Sequence, residues 1–284
     1  MTQEVKLGLA QYGTDAGDAG QSRQKSIDVI TEALDDGADV VVLPELAIPG
    51  YVVDTEALTS GAEAVTGPTL KKWCALAASA GAVIVAGFCE REGANLYNSA
   101  VTIGPDGVLA LYRKLHLFAD EKRIFLRGDR GLPVVDTPHG RIGVCVCYDL
   151  RFPEVVRVMS LRGADIIAVP TAWLPGFDAT RWDDTGMCPQ AHGAVLQANL
   201  DQVFIACASA VGRHSGLEFL GSSIVVDPYG HKLLGPLPGT EDCLAQVTID
   251  LAAVTRSQHR GDGIDPRADR RTDVYQITYD SESL

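Results

Sequence analysis

The chain has 284 residues, of which 46% are hydrophobic, and it carries a formal net charge of −13 at pH 7. This length and composition allow one large domain or two small ones, and the continuity of the pattern favours one. The acidic balance argues against nucleic acids and anionic membrane surfaces as partners, because both attract basic patches.

The seven cysteines are scattered through apolar segments, which is typical of reduced thiols and not of a disulfide framework. The first eleven residues lack the basic start and apolar core of a secretory signal. The longest uncharged run, from Trp73 to Cys89, is shorter than the roughly 20 residues that a membrane-spanning helix needs. The sequence therefore predicts a cytoplasmic protein.

Hydrophobic periodicity predicts alternating helices and strands. A strand over Val5–Gln11 precedes a helix that ends at Gly37, and the β-branched run over 39–43 is typical of a strand covered on both faces. Glu45 follows that strand directly. Because open α/β sheets bind ligands at the carboxyl ends of their strands, Glu45 is a candidate site residue.

One sequence pattern occurs twice. Gly37–Glu45 and Gly163–Thr171 both place Gly-Ala-Asp between an amphipathic helix and a buried strand. The pattern indicates a repeated helix–strand unit, with Glu45 and Thr171 at comparable strand ends. The alternative is coincidence, since this tripeptide is also ordinary helix-ending chemistry.

The remaining elements predict mixed sheets. Helices are expected over 69–79 and 189–200, buried strands over 82–90 and 202–208, and antiparallel hairpins around the Pro/Gly turns 104–107 and 227–230. The sequence contains no GxGxxG motif, which would indicate a dinucleotide-binding Rossmann fold. Lys114 follows the second strand of the first hairpin and has apolar neighbours in the sequence. Asp120–Arg123 is predicted to be a charged loop or short helix, and such charge runs usually face solvent.

Cys147 lies where an apolar strand over 141–146 gives way to a helix that begins at Pro153. In such an elbow the next backbone N–H can face a developing oxyanion, and the helix N-terminus biases a thiol toward thiolate. The alternative is a small core hydrophobe, which is our interpretation of Cys145. No Cys/His cluster with ligand spacing predicts a metal site.

Glu45, Lys114 and Cys147 thus all stand at strand ends. A carboxylate can take the proton of a thiol, a thiolate can attack a carbon, and an ammonium can hold the oxyanion that forms.

The blocks around these residues resemble the three signatures of the nitrilase superfamily of carbon–nitrogen hydrolases: Leu43–Glu45, Tyr112–Leu117 and Cys147–Glu154. The stretches 95–99 and 221–228 are also similar to the family, so the resemblance covers nearly the whole chain. It implies an α/β fold, a four-layer αββα sandwich of two mixed sheets. The continuity of the pattern predicts a single domain over residues 1–284, and the polar composition beyond Leu251 predicts that 251–284 pack as an extension on the surface or on a partner subunit. The resemblance to the family implies a homodimer or larger homo-oligomer. It implies no metal and no organic cofactor.

By this resemblance Glu45 is the general base, Cys147 the nucleophile and Lys114 the stabiliser of the transition state. The backbone N–H of Tyr148 completes the oxyanion hole. Glu121 resembles a second glutamate that orients substrate and lysine in many family amidases, with an ordinary surface charge as the alternative.

Departures from the family motifs bear on the substrate. Leu150 precedes Arg151, where the family's N-carbamoyl-D-amino acid hydrolases have two consecutive arginines, and Tyr148-Asp149 replaces the Trp-Glu of nitrile-hydrolysing members. The resemblance therefore implies hydrolysis of a small linear carboxamide through a cysteine thioester. A ureido (N-carbamoyl) hydrolase and a nitrilase are the alternatives, and a non-catalytic binding protein is the alternative from another class.

Five residues are predicted to contact the substrate: Tyr51, Tyr148, Arg151, Thr171 and Trp173. Tyr51 and Trp173 have a competing assignment, because an aromatic side chain at a strand end often belongs to the core.

Overall fold

The computed structural model describes residues 3–13, 16, 18–176, 184 and 186–284. Within them the chain forms two six-stranded sheets, two short hairpins and six α-helices. The strands are β1 (Glu4–Gln11), β2 (Val40–Val42), β3 (Val83–Glu92), β4 (Asn95–Gly104), β5 (Gly107–Arg113), β6 (Val134–Thr137), β7 (Gly140–Val144), β8 (Ile166–Thr171), β9 (Phe204–Ser209), β10 (Val211–His214), β11 (Leu217–Leu220), β12 (Ile224–Val226), β13 (Lys232–Leu234), β14 (Cys243–Asp250), β15 (Thr278–Tyr279) and β16 (Glu282–Ser283). The helices are α1 (Ala19–Asp35), α2 (Thr55–Gly61), α3 (Pro68–Ala80), α4 (Pro153–Leu161), α5 (Ala191–Asp201) and α6 (Ala252–Gln258).

Helix boundaries follow local chemistry. The side chain of Asp18 accepts a hydrogen bond from the backbone N–H of Gln21 and so caps α1. Helix α3 begins with Pro68 and ends at Gly81, whose φ of 67° is the left-handed conformation that glycine adopts most readily. Helix α4 begins at Pro153, the position predicted from the sequence.

Each large sheet mixes parallel and antiparallel pairs. The first has the strand order β14-β1-β2-β3-β4-β5, and the second β13-β12-β9-β8-β7-β6. In the first sheet β2 is parallel to both β1 and β3, and in the second β8 is parallel to both β7 and β9. The α/β fold with two mixed sheets predicted from the sequence is confirmed.

The sheets pack face to face, and the helices cover their outer faces. One core cluster joins inward residues of both sheets, such as Val42 and Val85 from the first and Ala168 and Ala206 from the second. A second cluster packs α1 and α3 on the first sheet around Trp73. This arrangement is the four-layer αββα sandwich.

The repeated sequence pattern forms two equivalent helix–strand units. Strands β2 and β8 contact each other across the sandwich. Just beyond β2, the backbone N–H of Glu45 donates to the carbonyl of Thr171 at the end of β8, at 3.2 Å. The two strand ends predicted to be comparable therefore meet at one edge of the sandwich.

The C-terminal part of the chain contacts its own domain. The backbone N–H of Leu132 donates to the hydroxyl of Tyr279 at 2.6 Å, and the guanidinium of Arg162 lies over the Tyr279 ring. Strand β14, which the sequence analysis did not predict, pairs with β1 along its whole length. Among the described helices, none is both long and apolar enough to span a bilayer.

Candidate active site

A cleft of about 430 Å³, including its open mouth, lies at the edge where β2 and β8 end. Its floor holds Lys114 and Cys147, and its walls are mostly aromatic and aliphatic. The lining residues are Tyr51, Lys114, Phe118, Cys147, Tyr148, Leu150, Arg151, Ala172, Trp173, Leu174 and Gln190. Six of these residues were singled out from the sequence.

Glu45 is almost completely buried, and only one of its two carboxylate oxygens has partners. Oε1 accepts from Nζ of Lys114 at 2.6 Å and from Nδ2 of Asn98 at 2.7 Å. In the part of the chain that the structure describes, Oε2 has no hydrogen-bond partner. Burial raises the pKa of this carboxyl group, while Lys114 and Asn98 oppose that shift. Glu45 is thus a buried carboxylate with one oxygen available to take a proton.

Lys114 lies between two carboxylates. Its Nζ donates to Glu45 at 2.6 Å and to Glu121 at 2.9 Å, and all three side chains are almost fully buried. Burial disfavours the ammonium, but the attraction of Glu121 and Glu45 outweighs it and raises the pKa of Lys114. Lys114 is therefore a fixed positive charge that cannot act as an acid near neutral pH.

Glu121 belongs to a 3₁₀ turn over Ala119–Arg123 and is 2% exposed. Its Oε1 accepts from the hydroxyl of Tyr51 at 2.6 Å, and its Oε2 accepts from the backbone N–H of Phe118 at 2.9 Å. The alternative of an ordinary surface charge is therefore excluded for Glu121, because the turn directs this side chain inward while Asp120, Lys122 and Arg123 stay exposed.

Cys147 begins the 3₁₀ turn that follows β7 and Cys145-Val146, and its φ is 48°. That left-handed conformation is uncommon for a residue with a side chain and is typical of functional sites. Burial, and then the charge of Glu45, raise the pKa of the thiol, while Lys114 and the backbone N–H of Ala172 lower it by less.

The thiolate bias expected from the sequence is therefore wrong for the resting protein. A 3₁₀ turn over Cys147–Arg151 lies between the thiol and α4, and burial together with the charge of Glu45 decides the direction of the shift in the pKa of the thiol. Glu45, Lys114 and Glu121 together already carry a formal charge of −1. Ionising the thiol would add a second uncompensated negative charge to a buried site.

Asn98 on β4 was not singled out as a site residue. Its Nδ2 donates to Oε1 of Glu45 at 2.7 Å and approaches Oε1 of Glu121 at 3.4 Å, so it helps to hold two like charges close together. The sequence signal was a polar residue within an apolar strand, at a position that period-2 alternation assigns to the same face as several core residues.

The predicted substrate contacts divide into two groups. Tyr148, Arg151 and Trp173 line the cleft, as does Tyr51, whose hydroxyl is also bound to Glu121. Thr171 is fully buried at the end of β8 and is absent from the described lining of the cleft. Its neighbour Ala172 takes that place.

All seven cysteines are free. Within the described ranges, no group of three or more His, Cys, Asp or Glu residues is arranged to hold a metal ion.

Comparisons with known proteins agree with this geometry. The family model described as carbon-nitrogen hydrolase matches residues 6–258. A nitrilase from Pyrococcus abyssi is 35% identical over 274 residues, which cover 95% of this chain and 99% of that protein. An omega-amidase from Bos taurus is 31% identical over 264 residues, which cover 88% of this chain and 89% of that protein.

A solved structure has the same architecture. The crystal structure of an amidase from Nesterenkonia sp. superposes with a TM-score of 0.74 and 27% identity, over 95% of this chain and 94% of that one. A structure of a variant of that amidase records the addition of acrylamide at its active-site cysteine.

Proposed function

Because this chain belongs to the carbon–nitrogen hydrolase family, the nitrilase superfamily, we propose that it hydrolyses a small linear carboxamide to a carboxylate and ammonia through a cysteine thioester. The observation that carries this proposal is the buried cluster of Glu45, Lys114 and Glu121, whose lysine lies beside Cys147 on the floor of the cleft. A general base, a fixed positive charge and a thiol close together are the groups that acyl transfer to sulfur needs.

The first step forms the carbon–sulfur bond. The thiol is neutral at rest, so the proton leaves sulfur as sulfur attacks the amide carbon, and Glu45 accepts it on Oε2, the oxygen without another partner. The raised pKa of Glu45 suits this task, because it brings the affinity of the carboxylate for a proton closer to that of the thiol.

The oxyanion of the tetrahedral intermediate is stabilised by Lys114 and by the backbone N–H of Tyr148, the residue after the nucleophile. Collapse of the intermediate breaks the carbon–nitrogen bond, and the leaving amine takes the proton from Glu45 and departs as ammonia. The product on the enzyme is a thioester.

Water then completes the reaction. Glu45, again a carboxylate, takes a proton from the attacking water, and the second tetrahedral intermediate expels the thiolate, which recovers that proton. Glu121 keeps Lys114 in place through both halves, because it accepts hydrogen bonds from Nζ of Lys114 and the hydroxyl of Tyr51.

The cleft walls favour a small apolar acyl group. Phe118 and Tyr148 form an edge-to-face pair with centroids 5.3 Å apart, and Leu150, Trp173 and Leu174 add further apolar surface. In the described part of the cleft, two cationic residues line the surface: Lys114 on the floor and Arg151 on the wall. A ureido acid needs a carboxylate clamp, and Leu150 stands where a second arginine would serve, so the amide is favoured over the ureido acid and the nitrile.

A homodimer is part of the proposal. Helix α5 exposes Leu196 and Leu200 at 60% and 49% of their surfaces, which is unusual for large apolar side chains on an ordered helix. A partner subunit would cover them. Sedimentation at micromolar concentration should show a dimer, and a fully active monomer would exclude the dimer as a requirement.

The test of the mechanism compares two cysteines on one segment. Cys147→Ala should lose at least about 10³-fold in kcat with the fold intact, because the nucleophile is gone. Cys145→Ala is the matched control: Cys145 is fully buried in the core, so this variant should lose stability and keep its chemistry.

Mass spectrometry should detect the acyl-enzyme in the parent chain and in Cys145→Ala but not in Cys147→Ala. Substantial ammonia release by Cys147→Ala would exclude the thioester mechanism.

The substrate class is tested by a paired assay of kcat/KM on an amide, a ureido acid and a nitrile with the same side group. Loss of one charged hydrogen bond to a buried carboxylate is worth roughly 1.5–3 kcal/mol, so the amide should lead by about tenfold or more. A tenfold lead for either rival would overturn the amide assignment and leave the chemistry of Cys147 intact.

A further inference from the structure

A second buried polar network, separate from the charged cluster, centres on Asp149. This residue lies in the 3₁₀ turn two positions after Cys147 and has no solvent exposure. Each of its carboxylate oxygens accepts two hydrogen bonds. Oδ1 is bound to the backbone N–H and to Nδ1 of His116, at 3.0 and 2.8 Å. Oδ2 is bound to the hydroxyl of Tyr112 at 2.7 Å and to the backbone N–H of Val146 at 2.9 Å.

The donors come from two segments that are distant in sequence. Tyr112 and His116 lie two residues before and two residues after Lys114, whereas Val146 directly precedes Cys147. The hydroxyl of Tyr112 also accepts from the backbone N–H of Leu115 at 3.3 Å, which closes the network around the lysine. One carboxylate thus joins the backbone on both sides of Lys114 to the backbone beside Cys147.

Ring stacking reinforces the same connection. The imidazole of His116 lies parallel to the ring of Phe152, with centroids 3.6 Å apart and an interplanar angle of 12°. Phe152 is the residue that precedes α4. The segment after the lysine is therefore held to the middle of the turn that carries Cys147 and to the residue that follows this turn.

We propose that Asp149 is a positioning residue that keeps the Lys114 ammonium and the Cys147 sulfur at the spacing at which both reach one substrate carbonyl. This role rests on the proposed function, in which the sulfur attacks that carbonyl and the ammonium stabilises its oxyanion. Displacing a reacting group by 1 Å typically costs about 10²-fold in rate. A carboxylate suits the role because it only accepts, and every group that faces it here donates.

The decisive variant is Asp149→Asn, which keeps the shape of the side chain but directs an N–H toward a neighbouring donor. We expect kcat per folded molecule to fall by about 10²-fold while KM stays within about threefold, since the cleft walls that bind the acyl group are unchanged. The folded fraction is measured by circular dichroism at the assay temperature.

Glu63→Gln is the matched control. Glu63 is also a buried carboxylate with three donors, namely Arg23 and the hydroxyl and backbone N–H of Thr69, but it lies between α2 and α3, outside the described lining of the cleft. This variant should lower the thermal midpoint and leave kcat unchanged. If Asp149→Asn likewise lowers only the thermal midpoint, Asp149 is a structural brace and the proposal is overturned.

Tyr112→Phe keeps the test decisive if Asp149→Asn does not fold, because it removes one donor and leaves the other three. Its kcat should fall by about tenfold at an unchanged KM, and an unchanged kcat would overturn the proposal. Cys147→Ala is assayed alongside. If Cys147→Ala stays active, the proposed function fails and the role of Asp149 fails with it. If Cys147→Ala is inactive and Asp149→Asn is fully active, only the positioning role fails.

Discussion

Arg113 and Lys114 are consecutive residues at the end of β5, both 1% exposed, and each is bound by carboxylates in a different way. Arg113 makes a two-pronged contact with the buried Glu90, at 2.6 and 2.9 Å. It then reaches Glu92 and Asp129, whose side chains are 52% and 61% exposed. The carboxylates on Lys114 are at most 2% exposed.

The difference distinguishes a structural ion network from the network that we propose takes part in catalysis. The Arg113 network continues to the surface, where the carboxylates of Glu92 and Asp129 are solvated, so water screens part of its charge. The side chains of the lysine cluster are almost completely buried, the cluster carries a formal charge of −1, and Oε2 of Glu45 has no partner among the described residues. An unsatisfied buried oxygen costs stability, and it persists where chemistry uses it.

The largest effect expected from this comparison is on Lys114→Met. The side-chain stem is kept and the charge is lost, so substrate binding should remain while kcat falls by about 10³-fold. One of the two buried carboxylates should take up a proton in this variant, because like charges at this distance cannot both stay ionised. Kinetics on the best amide substrate decide it: a normal kcat with a raised KM would make Lys114 a ground-state binder.

Arg113→Met should lower stability and have little effect on kcat, the opposite of Lys114→Met. Glu90 would remain buried without its partner, and breaking one side of a buried ion pair typically costs about 3–5 kcal/mol. We therefore expect a fall in the thermal midpoint of about 6 °C or more, with kcat per folded molecule within about tenfold of the parent chain. A stable but inactive Arg113→Met would show that the two networks cannot be separated.

Much of the fold could be predicted from the sequence because its signals are local. Pro153 fixes the start of α4, Gly81 fixes the end of α3, and the Pro/Gly turns at 104–107 and 227–230 fix two hairpins. Strand β14 lacked such a signal. Its residues are mostly half-buried, and it is positioned by pairing with β1, a contact that spans most of the chain.

The residues of the candidate site could be singled out from the sequence, but their electrostatics could not be predicted. Glu45, Lys114 and Cys147 could be singled out because each follows a recognisable strand, but the pKa of a thiol depends on every charge around it in space. The sequence places Glu45 and Glu121 far from Cys147, so their effect on the thiol could not be read from a helix N-terminus nearby in the chain. Asn98 was missed for the same reason, since its two partners come from other elements.

A smaller effect concerns the pH dependence of the reaction. Burial raises the pKa of Glu45, so the base should lose its charge, and kcat/KM should fall, as the pH drops through a value above the ordinary glutamate value of about 4.3. The hydrogen bond from Asn98 stabilises the charged form and lowers that pKa. Asn98→Ala should therefore move the acid limb to higher pH, and kcat/KM profiles from pH 4 to 8 measure it. A limb that moves to lower pH would contradict the assignment of Glu45 as the base.

The smallest effect is expected at the exposed end of the Arg113 network. Glu92 accepts from Arg113 at 2.9 Å and from Arg130 at 3.2 Å, and the hydrogen bond with Arg113 is the main cause that lowers its pKa. A carboxyl group with a lowered pKa stabilises the folded state above its unfolded pKa, and that stabilisation is lost as the pH falls through the folded pKa. Water screens this pair, so Glu92→Gln should lower the thermal midpoint by about 2 °C or less at pH 7, and by less still near pH 3. Thermal melts of parent and variant at both pH values test this, and kcat should be unchanged. A loss at pH 7 as large as that of Arg113→Met would mean that the network depends on its surface members and not on the buried pair of Arg113 with Glu90.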